Sequence, residues 1–173
     1  MRTLPAVLLT LLLLTGCGRP DDATLTEPDQ YADYLLSRDQ ARRAVPELAA
    51  AIGEALGGRV DLLGAGPEGC RFRADETTAY DYAVTATIVG TRPDPDLATV
   101  VALLQGHGWT LTEQPHLDRG RQRLSAARAG LSVGLTEGDP RSRLVLRSGG
   151  TCFAVPAGDR ESLLGLDEDL SVR

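Results

Sequence analysis

The chain has 173 residues, 42% of them apolar and 24% charged, which is enough for one folded domain and excludes collagen-like, coiled-coil and multi-span membrane proteins. Its 18 basic residues are all arginine, and its 24 acidic residues bring the net charge to −6. Aromatic residues make up only 4% of the chain, too few for a base-stacking platform. Charge and composition therefore argue against a nucleic-acid partner.

The N-terminus has the pattern of an export signal. Arg2 precedes an apolar run over residues 4–14, which is the length of a signal-peptide core and well short of the roughly 20 residues of a spanning helix. The run ends in Leu14-Thr15-Gly16-Cys17, which resembles the lipobox of bacterial lipoprotein precursors. The resemblance implies that signal peptidase II removes residues 1–16 and that Cys17 carries diacylglycerol. The alternative is an ordinary secretory signal with an incidental cysteine.

The lipobox resemblance also implies a location and a first partner. Two or more acyl chains on Cys17 suffice for stable anchoring, because each buried methylene contributes about 0.8 kcal/mol. We therefore expect a protein held on the cell membrane by lipid, including palmitate-type acyl chains, and facing outside the cytoplasm. The resemblance covers residues 1–17 only, and it implies nothing about the folded domain.

Composition divides the rest of the chain into three parts. Residues 17–36 are acidic and contain two prolines, which predicts a flexible tether. Tyr31, Tyr34, Leu35 and Leu36 at its end either belong to the first helix or pack beside it. Residues 37–156 are expected to form a single domain, and the acidic residues 157–173 a frayed tail.

Two helices are predicted from apolar spacing. The first begins at a capping box of Ser37 and Gln40 and ends at Gly57-Gly58, with a kink or break at Pro46. The second has Asp94 as its N-cap and Pro95 as its first residue, and it ends at Gly106 or Gly108.

The remaining apolar segments predict strands. The clearest alternation runs from Tyr80 to Val89, and shorter segments lie at 59–63, 70–73, 109–113, 122–127, 131–135, 143–147 and 151–155. The order predicts an α+β fold, with two helices on one face of an antiparallel sheet of about six or seven strands. The expected core is Val45, Leu48, Ile52, Tyr82, Val84, Ile88, Val100, Val101, Leu104, Trp109, Leu111, Leu144 and Leu146. The alternative is a pair of smaller αβββ repeats side by side, since both halves have a helix that ends in glycine before a strand.

Few motifs point to chemistry. The segment Gly64–Gly69 has G-x-G-x-x-G spacing, but a strand rather than a helix is predicted after it, so it is interpreted as a glycine-rich turn rather than a nucleotide site. His107 and His116 have no metal-ligand spacing, and no G-x-S-x-G motif occurs. We therefore predict no catalytic residue, no metal and no cofactor.

Cys70 and Cys152 are the two cysteines that remain once Cys17 is acylated. An even remainder in an exported chain predicts a disulfide between them, with a metal pair or two free thiols as the alternatives.

Arginines alternate with the predicted core residues in several strands. If Cys70, Phe72, Leu124, Ala126, Leu144 and Leu146 face the core, then Arg71, Arg73, Arg121, Arg123, Arg143 and Arg147 face away from it. Because guanidinium groups match carboxylates and phosphates, this arginine face is a candidate surface for an anionic envelope polymer, a lipid headgroup or an acidic protein. The competing interpretation is a solvated face whose arginines pair with acidic neighbours.

These observations favour a non-enzymatic binding or accessory module of the cell envelope. The alternative is a secreted envelope hydrolase that uses carboxylates, since such chemistry leaves almost no trace in a single sequence. The oligomeric state is open.

Overall fold

A computed structural model describes residues 29–73, 76–90, 96–163 and 168–170. Both the predicted signal peptide and Cys17 lie outside these residues. The described chain confirms the α+β class, with three helices and eight strands in one antiparallel sheet. The helices are α1 (Tyr31–Ala55), α2 (Leu97–Gly106) and α3 (Ala157–Leu163). The strands are β1 (Arg59–Arg73), β2 (Glu76–Val89), β3 (Thr110–Asp118), β4 (Arg121–Arg128), β5 (Leu131–Glu137), β6 (Arg143–Ser148), β7 (Phe153–Ala154) and β8 (Glu168–Asp169).

The sheet has the order β3-β4-β5-β6-β2-β1-β8, and β7 pairs with the far end of β2. Helices α1 and α2 contact each other, and α1 packs mainly on β2 and β1. The apolar residues of the helices and of one sheet face form a single core. Eleven of the thirteen expected core residues are buried, and the other two, Val101 and Leu111, are half-buried and pack against that core. Helix α1 is followed by two strands before α2, whereas an αβββ repeat needs three, and strands of both halves form one sheet.

Helix α1 begins six residues before the predicted capping box. The Asp29 carboxylate accepts a hydrogen bond from the Tyr31 N–H at 2.9 Å, and Tyr34 in the first turn is fully buried. The aromatic residues at the end of the predicted tether therefore belong to the helix. The helix also continues through Pro46 without a break, because the buried Val45 and Leu48 beside it hold this turn against the sheet.

The start of α1 is joined to β7. The Gln30 N–H donates to the Ala154 carbonyl at 3.0 Å, and the Ala154 N–H donates to Gln30 Oε1 at 2.9 Å. One residue therefore satisfies both polar groups of a strand residue more than 120 positions later in the chain.

The predicted N-cap of α2 is wrong by two residues. The cap is Asp96, whose Oδ1 accepts from the Ala98 N–H at 3.0 Å and whose Oδ2 accepts from the Thr99 hydroxyl at 2.8 Å. The sequence favours Asp94 because Asp94-Pro95 has the usual order of cap and first residue, whereas in this chain a second Asp follows the proline and is the cap. Asp94 and Pro95 lie outside the described residues.

The glycine-rich turn predicted at Gly64–Gly69 is wrong as well. Strand β1 runs through it as one 15-residue strand, paired with β2 from Arg59↔Val89 to Arg73↔Glu76. Pairing with β2 keeps these glycines extended, and the periodicity of β1 alone does not reveal that pairing. The two predicted short strands are therefore the ends of one long strand.

The segment after Pro156 contains structure where a frayed tail is predicted. Helix α3 contributes a fully buried Leu163 to the core, and β8 pairs with β1 through Gly64↔Asp169 and Ala65↔Glu168. Arg42 of α1 also forms an ion pair with Glu168 at 2.8 Å. Acidic residues at the end of the chain thus cover part of the β1 edge. None of the described helices has the length and apolarity that a membrane crossing requires.

Candidate functional site

The helices cover one face of the sheet, and the opposite face, here called the open face, carries mostly small and polar residues. In β2, Tyr82, Val84 and Ile88 enter the core, so their neighbours Ala83 and Thr85 point to the other side. The cross-strand register extends this assignment to the neighbouring strands. The open face therefore includes Thr85, Thr87, Ser125, Ser132, Gly134, Thr136 and Val145.

Most of the arginine face predicted from the sequence lies on the open face. Arg147 is in register with Thr85, Arg143 with Val89, and Arg123 with Thr136. Arg121 and Arg71 occupy open-face positions opposite Asp118 and Ala79. All five arginines are exposed. Arg73 lies in β1, and its side chain is outside the described part.

Several of these arginines are paired with acidic neighbours. Arg147 Nη2 forms an ion pair with Glu68 Oε2. Arg123 lies 3.8 Å from Glu113 Oε2 and 3.7 Å from Asp118 Oδ2, and Glu113 also accepts a 2.9 Å hydrogen bond from the Ser125 hydroxyl. The partners are about half exposed, and such surface ion pairs contribute only about 0–1 kcal/mol. A ligand carboxylate or phosphate can therefore replace these partners at little cost.

A groove of about 540 Å³ lies on the open face between Arg123 and Arg147. Its floor is formed by short side chains from β4, β5 and β6, with Gly134 at the centre between Ser125 and Arg147 in the register. A Cβ added at Gly134 would meet no atom within 4 Å, so the missing side chain leaves open space. We call this concavity the Gly134 groove.

The β1–β2 hairpin forms one end of the Gly134 groove. Glu68 is in register with Asp81, four positions along β2 from Thr85, the partner of Arg147. On a flat sheet the Cα atoms of Glu68 and Arg147 would be about 16 Å apart, yet their side chains are in contact. Strand β1 has register shifts near Gly69, and such irregularities increase strand bending. The hairpin therefore curves towards β6 on the open face.

Asp81 is the buried charged group of this groove, with 7% of its surface exposed. Its Oδ2 accepts a hydrogen bond from the Gly150 N–H, and the Tyr82 N–H is a further donor. Burial raises the pKa of Asp81 above its ordinary value, and the two backbone donors oppose that shift. Gly149 passes so close that a Cβ there would be 2.5 Å from Oδ2, and its φ of +134° also requires glycine.

The two cysteines lie beside the same groove. Cys70 in β1 and Cys152 before β7 have Cα atoms 6.0 Å apart and their sulfur atoms at disulfide distance, across 82 positions of sequence. This placement fits the expected disulfide. Cys70 is exposed and lines the groove, so the expectation that it faces the core is wrong. Cys152 follows the Gly149-Gly150 turn that covers Asp81.

The two histidines lie at separate places in the fold. His116 lies in β3, with Nε2 3.5 Å from Glu113 Oε1, and His107 is the C-cap of α2. Among the described residues, no group of three or more His, Cys, Asp or Glu side chains could hold a metal ion. A second concavity of about 520 Å³ lies over β1 and β8, next to the exposed Leu62.

Sequence reasoning identified the arginines of this site but missed Glu68 and Asp81. Asp81 occupies a polar position in the alternation of β2, and this position is the only sequence pattern that places it on the open face. Comparison of the chain with models of protein families and with curated proteins finds no match.

Proposed function

We propose that this chain is a lipid-anchored, extracytoplasmic binding module whose ligand lies on the open face of the sheet. The anchor is the diacylglycerol expected on Cys17, and the ligand carries anionic groups, as an envelope polymer or an acidic protein partner does. The observation that carries the proposal is a groove on a sheet face that no described helix covers, flanked by the exposed Arg123 and Arg147 in surface ion pairs.

The open face supports binding by its chemistry. A sheet face that faces water is expected to be polar, and the open face carries mostly small and polar residues. Exposed guanidinium groups at its edges offer planar, multiple hydrogen bonds to carboxylate or phosphate oxygens. A concave, preformed site with few large side chains leaves room for such a ligand.

The anchor is tested by Cys17→Ser in the full-length chain. We expect the variant to leave the membrane fraction and to lack the mass of the acyl chains, because no thiol is available for the thioether. A variant that stays in the membrane with unchanged mass and processing contradicts the lipoprotein assignment.

The binding face is tested by charge reversal. We expect Arg121→Glu with Arg123→Glu to abolish retention on insoluble anionic envelope polymer, because both side chains are exposed on the open face. The single variant Arg123→Glu should weaken retention as well, and Arg43→Glu on α1 is its control, since it makes the same change of charge at an exposed residue outside the open face. The melting temperatures should be nearly equal. If retention is unchanged in the double variant, the arginine face is not the binding surface.

One observation favours the alternative of an envelope hydrolase. Glu68 and Asp81 are opposite each other in the register and line one groove, and a carboxylate with a raised pKa next to a second one is typical of acid–base sites. Binding is preferred because the Asp81 carboxylate already accepts two backbone hydrogen bonds and Glu68 is paired with Arg147. Turnover of an envelope glycan or peptide that is lost in Glu68→Gln would establish the hydrolase instead.

A further inference from the structure

We propose that the outer edge of β1 binds an extended segment of a partner protein by strand addition, and that β8 occupies this site within the same chain. The partner segment carries a carboxylate, an apolar residue and a second apolar residue at the places that Glu168, Asp169 and Leu170 take in this chain. The inference goes beyond the anionic ligand proposed for the open face and does not depend on it.

The outer edge of β1 is only partly covered. All of β1, from residue 59 to residue 73, lies along β2, whereas β8 pairs with two residues of the outer edge, Gly64 and Ala65. The Leu170 N–H adds a 3.0 Å hydrogen bond to the Leu63 carbonyl. Within the described ranges, no other strand lies along this edge. The backbone donors and acceptors of such an edge are the groups that strand addition uses.

The bond from Leu170 also shows which backbone groups of β1 face outward. The N–H and C=O of one residue point to the same side of a strand, and successive residues alternate between the two sides. Leu63, Ala65 and Pro67 therefore face the outer edge, and Pro67 has no N–H to donate. An added strand is thus limited by Pro67, and it pairs along Leu63 and Ala65, where β8 lies.

The helix side of this site binds a carboxylate. Glu168 is opposite Ala65, which packs against the core, so the Glu168 side chain faces α1. Arg42 binds the Glu168 carboxylate at 2.8 Å, with side chains 39% and 22% exposed, so this ion pair is better shielded from water than those of the open face. Burial and then the nearby Glu168 carboxylate raise the pKa of the Tyr82 hydroxyl to about 12. A guanidinium and a phenol therefore meet where an added strand would place its carboxylate.

The other side of the site has space that β8 leaves unfilled. Asp169 is opposite Gly64 and therefore points to the open face, beside the concavity of about 520 Å³ over β1 and β8. The lining of this concavity is mainly small or apolar and includes Gly66, Ala83 and Leu62, whose side chain is 58% exposed. An apolar side chain in place of Asp169 would cover this surface. A partner segment with such a residue therefore fits the site better than β8 does.

These contacts favour a partner protein over a second copy of this chain. Exchange of β8 between two copies would restore the same contacts and leave the concavity unfilled. A segment of the same chain competes at an effective concentration of about millimolar, so a partner displaces β8 only through contacts that β8 lacks. The apolar residue in the concavity supplies them.

The test measures the fluorescence anisotropy of labelled, capped peptides with the full-length chain in detergent micelles, with empty micelles as the blank. One peptide has the sequence of residues 165–173, GLDEDLSVR, and the other carries Asp169→Leu in that sequence. We expect the Asp169→Leu peptide to bind at least about tenfold more tightly, because its leucine enters the concavity. Leu170→Asp in the chain removes an apolar contact of β8 with the core and should raise the affinity for this peptide at least about tenfold further.

Backbone pairing is tested in the peptide, so that the protein itself is unchanged. An N-methyl group on Leu170 of the Asp169→Leu peptide removes the N–H that bonds to the Leu63 carbonyl, and it should weaken binding at least about tenfold. N-methylation of the residue before it is the matched control, because that N–H points away from β1, and it should change binding by less than about threefold.

The carboxylate contact is tested in the Leu170→Asp chain, in which β8 competes less. Arg42→Glu should weaken binding of the Asp169→Leu peptide at least about tenfold, and Glu168→Lys in that peptide should restore it. Arg43→Glu makes the same change of charge at the next, exposed residue of α1 and should leave binding unchanged.

Each result supports or overturns the proposal. If neither peptide binds the Leu170→Asp chain at millimolar concentration, or if the two N-methyl groups have equal effects, strand addition on β1 is refuted. If the Asp169→Leu peptide binds no more tightly than the native sequence, the proposed chemistry of the partner is wrong. A dimer of the full-length chain that dissociates in the Leu170→Asp variant would identify a second copy as the occupant instead.

Discussion

Gly58 is the position where one added methyl group should damage the fold most. It joins α1 to β1, and its N–H donates to the Gly53 carbonyl at 2.7 Å. An alanine Cβ would overlap the Val89 carbonyl oxygen and stand 2.8 Å from the Gly90 Cα. Both contacts are with backbone of the paired strand, which is held by Arg59↔Val89 pairing and by the Gly90 N–H bond to Ser142.

The expected cost of Gly58→Ala follows from these contacts. Overpacking a fitted site costs about 1–3 kcal/mol, and displacing the end of β2 weakens one or two backbone hydrogen bonds at about 1 kcal/mol each. We therefore expect a loss of about 2–5 kcal/mol, a large part of the stability of about 5–15 kcal/mol of a typical domain.

Urea denaturation followed by the fluorescence of the buried Trp109 measures this loss as a lower midpoint at unchanged slope. Gly106→Ala is the control, because its Cβ meets no atom within 4 Å, and it should leave stability equal or raise it by up to about 1 kcal/mol. Equal midpoints for the two variants would refute the argument from close approach.

Three further predictions concern ionisable groups and the cysteines. Burial raises the pKa of the Tyr82 hydroxyl from 10.0 to about 12, so the unfolded chain loses the hydroxyl proton first and the free energy of unfolding falls as pH rises from 10 to 12. Tyr82→Phe should reduce that fall in urea titrations, and an identical pH profile of the two proteins would contradict the prediction. Burial raises the pKa of Asp81 from 3.8, so the folded state holds the carboxyl proton more tightly and the free energy of unfolding falls as pH rises above 3.8. Asp81→Asn should flatten this part of the stability–pH profile, and an unchanged slope would count against the prediction. Replacing Cys70 and Cys152 by serine should lower the free energy of unfolding by about 4–5 kcal/mol for a loop of this length, whereas unreduced protein with two alkylatable thiols would exclude the disulfide.

Local patterns predicted most of the fold because they depend on one element at a time. The helical spacing of Val45, Leu48 and Ile52 and the alternation along β2 each report burial directly, and both were confirmed. Strand β1 was missed between Gly64 and Gly69 because its extended conformation depends on pairing with β2 rather than on its own residues. The α1 start was placed too late because a capping pattern at Ser37 outweighed the aromatic residues before it.

The candidate site was harder to predict than the fold because it depends on residues that are distant in the sequence. Alternation within single strands placed Arg123 and Arg147 on one face. The burial of Asp81, however, comes from a turn at Gly149-Gly150 almost 70 residues later, and the contact of Glu68 with Arg147 depends on the curvature of the hairpin. Neither has a local signature.

The double hydrogen bond between Gln30 and Ala154 has a mechanical consequence for a tethered protein. If the chain is held at Cys17, any drag on the domain enters through the residues just before α1. The two bonds of Gln30 must break together before that load can unwind the first turn. Until then the force passes into β7, which is paired with β2 and lies next to the Cys70–Cys152 pair. The start of α1 is thus held by hydrogen bonds to a strand that pairs with β2.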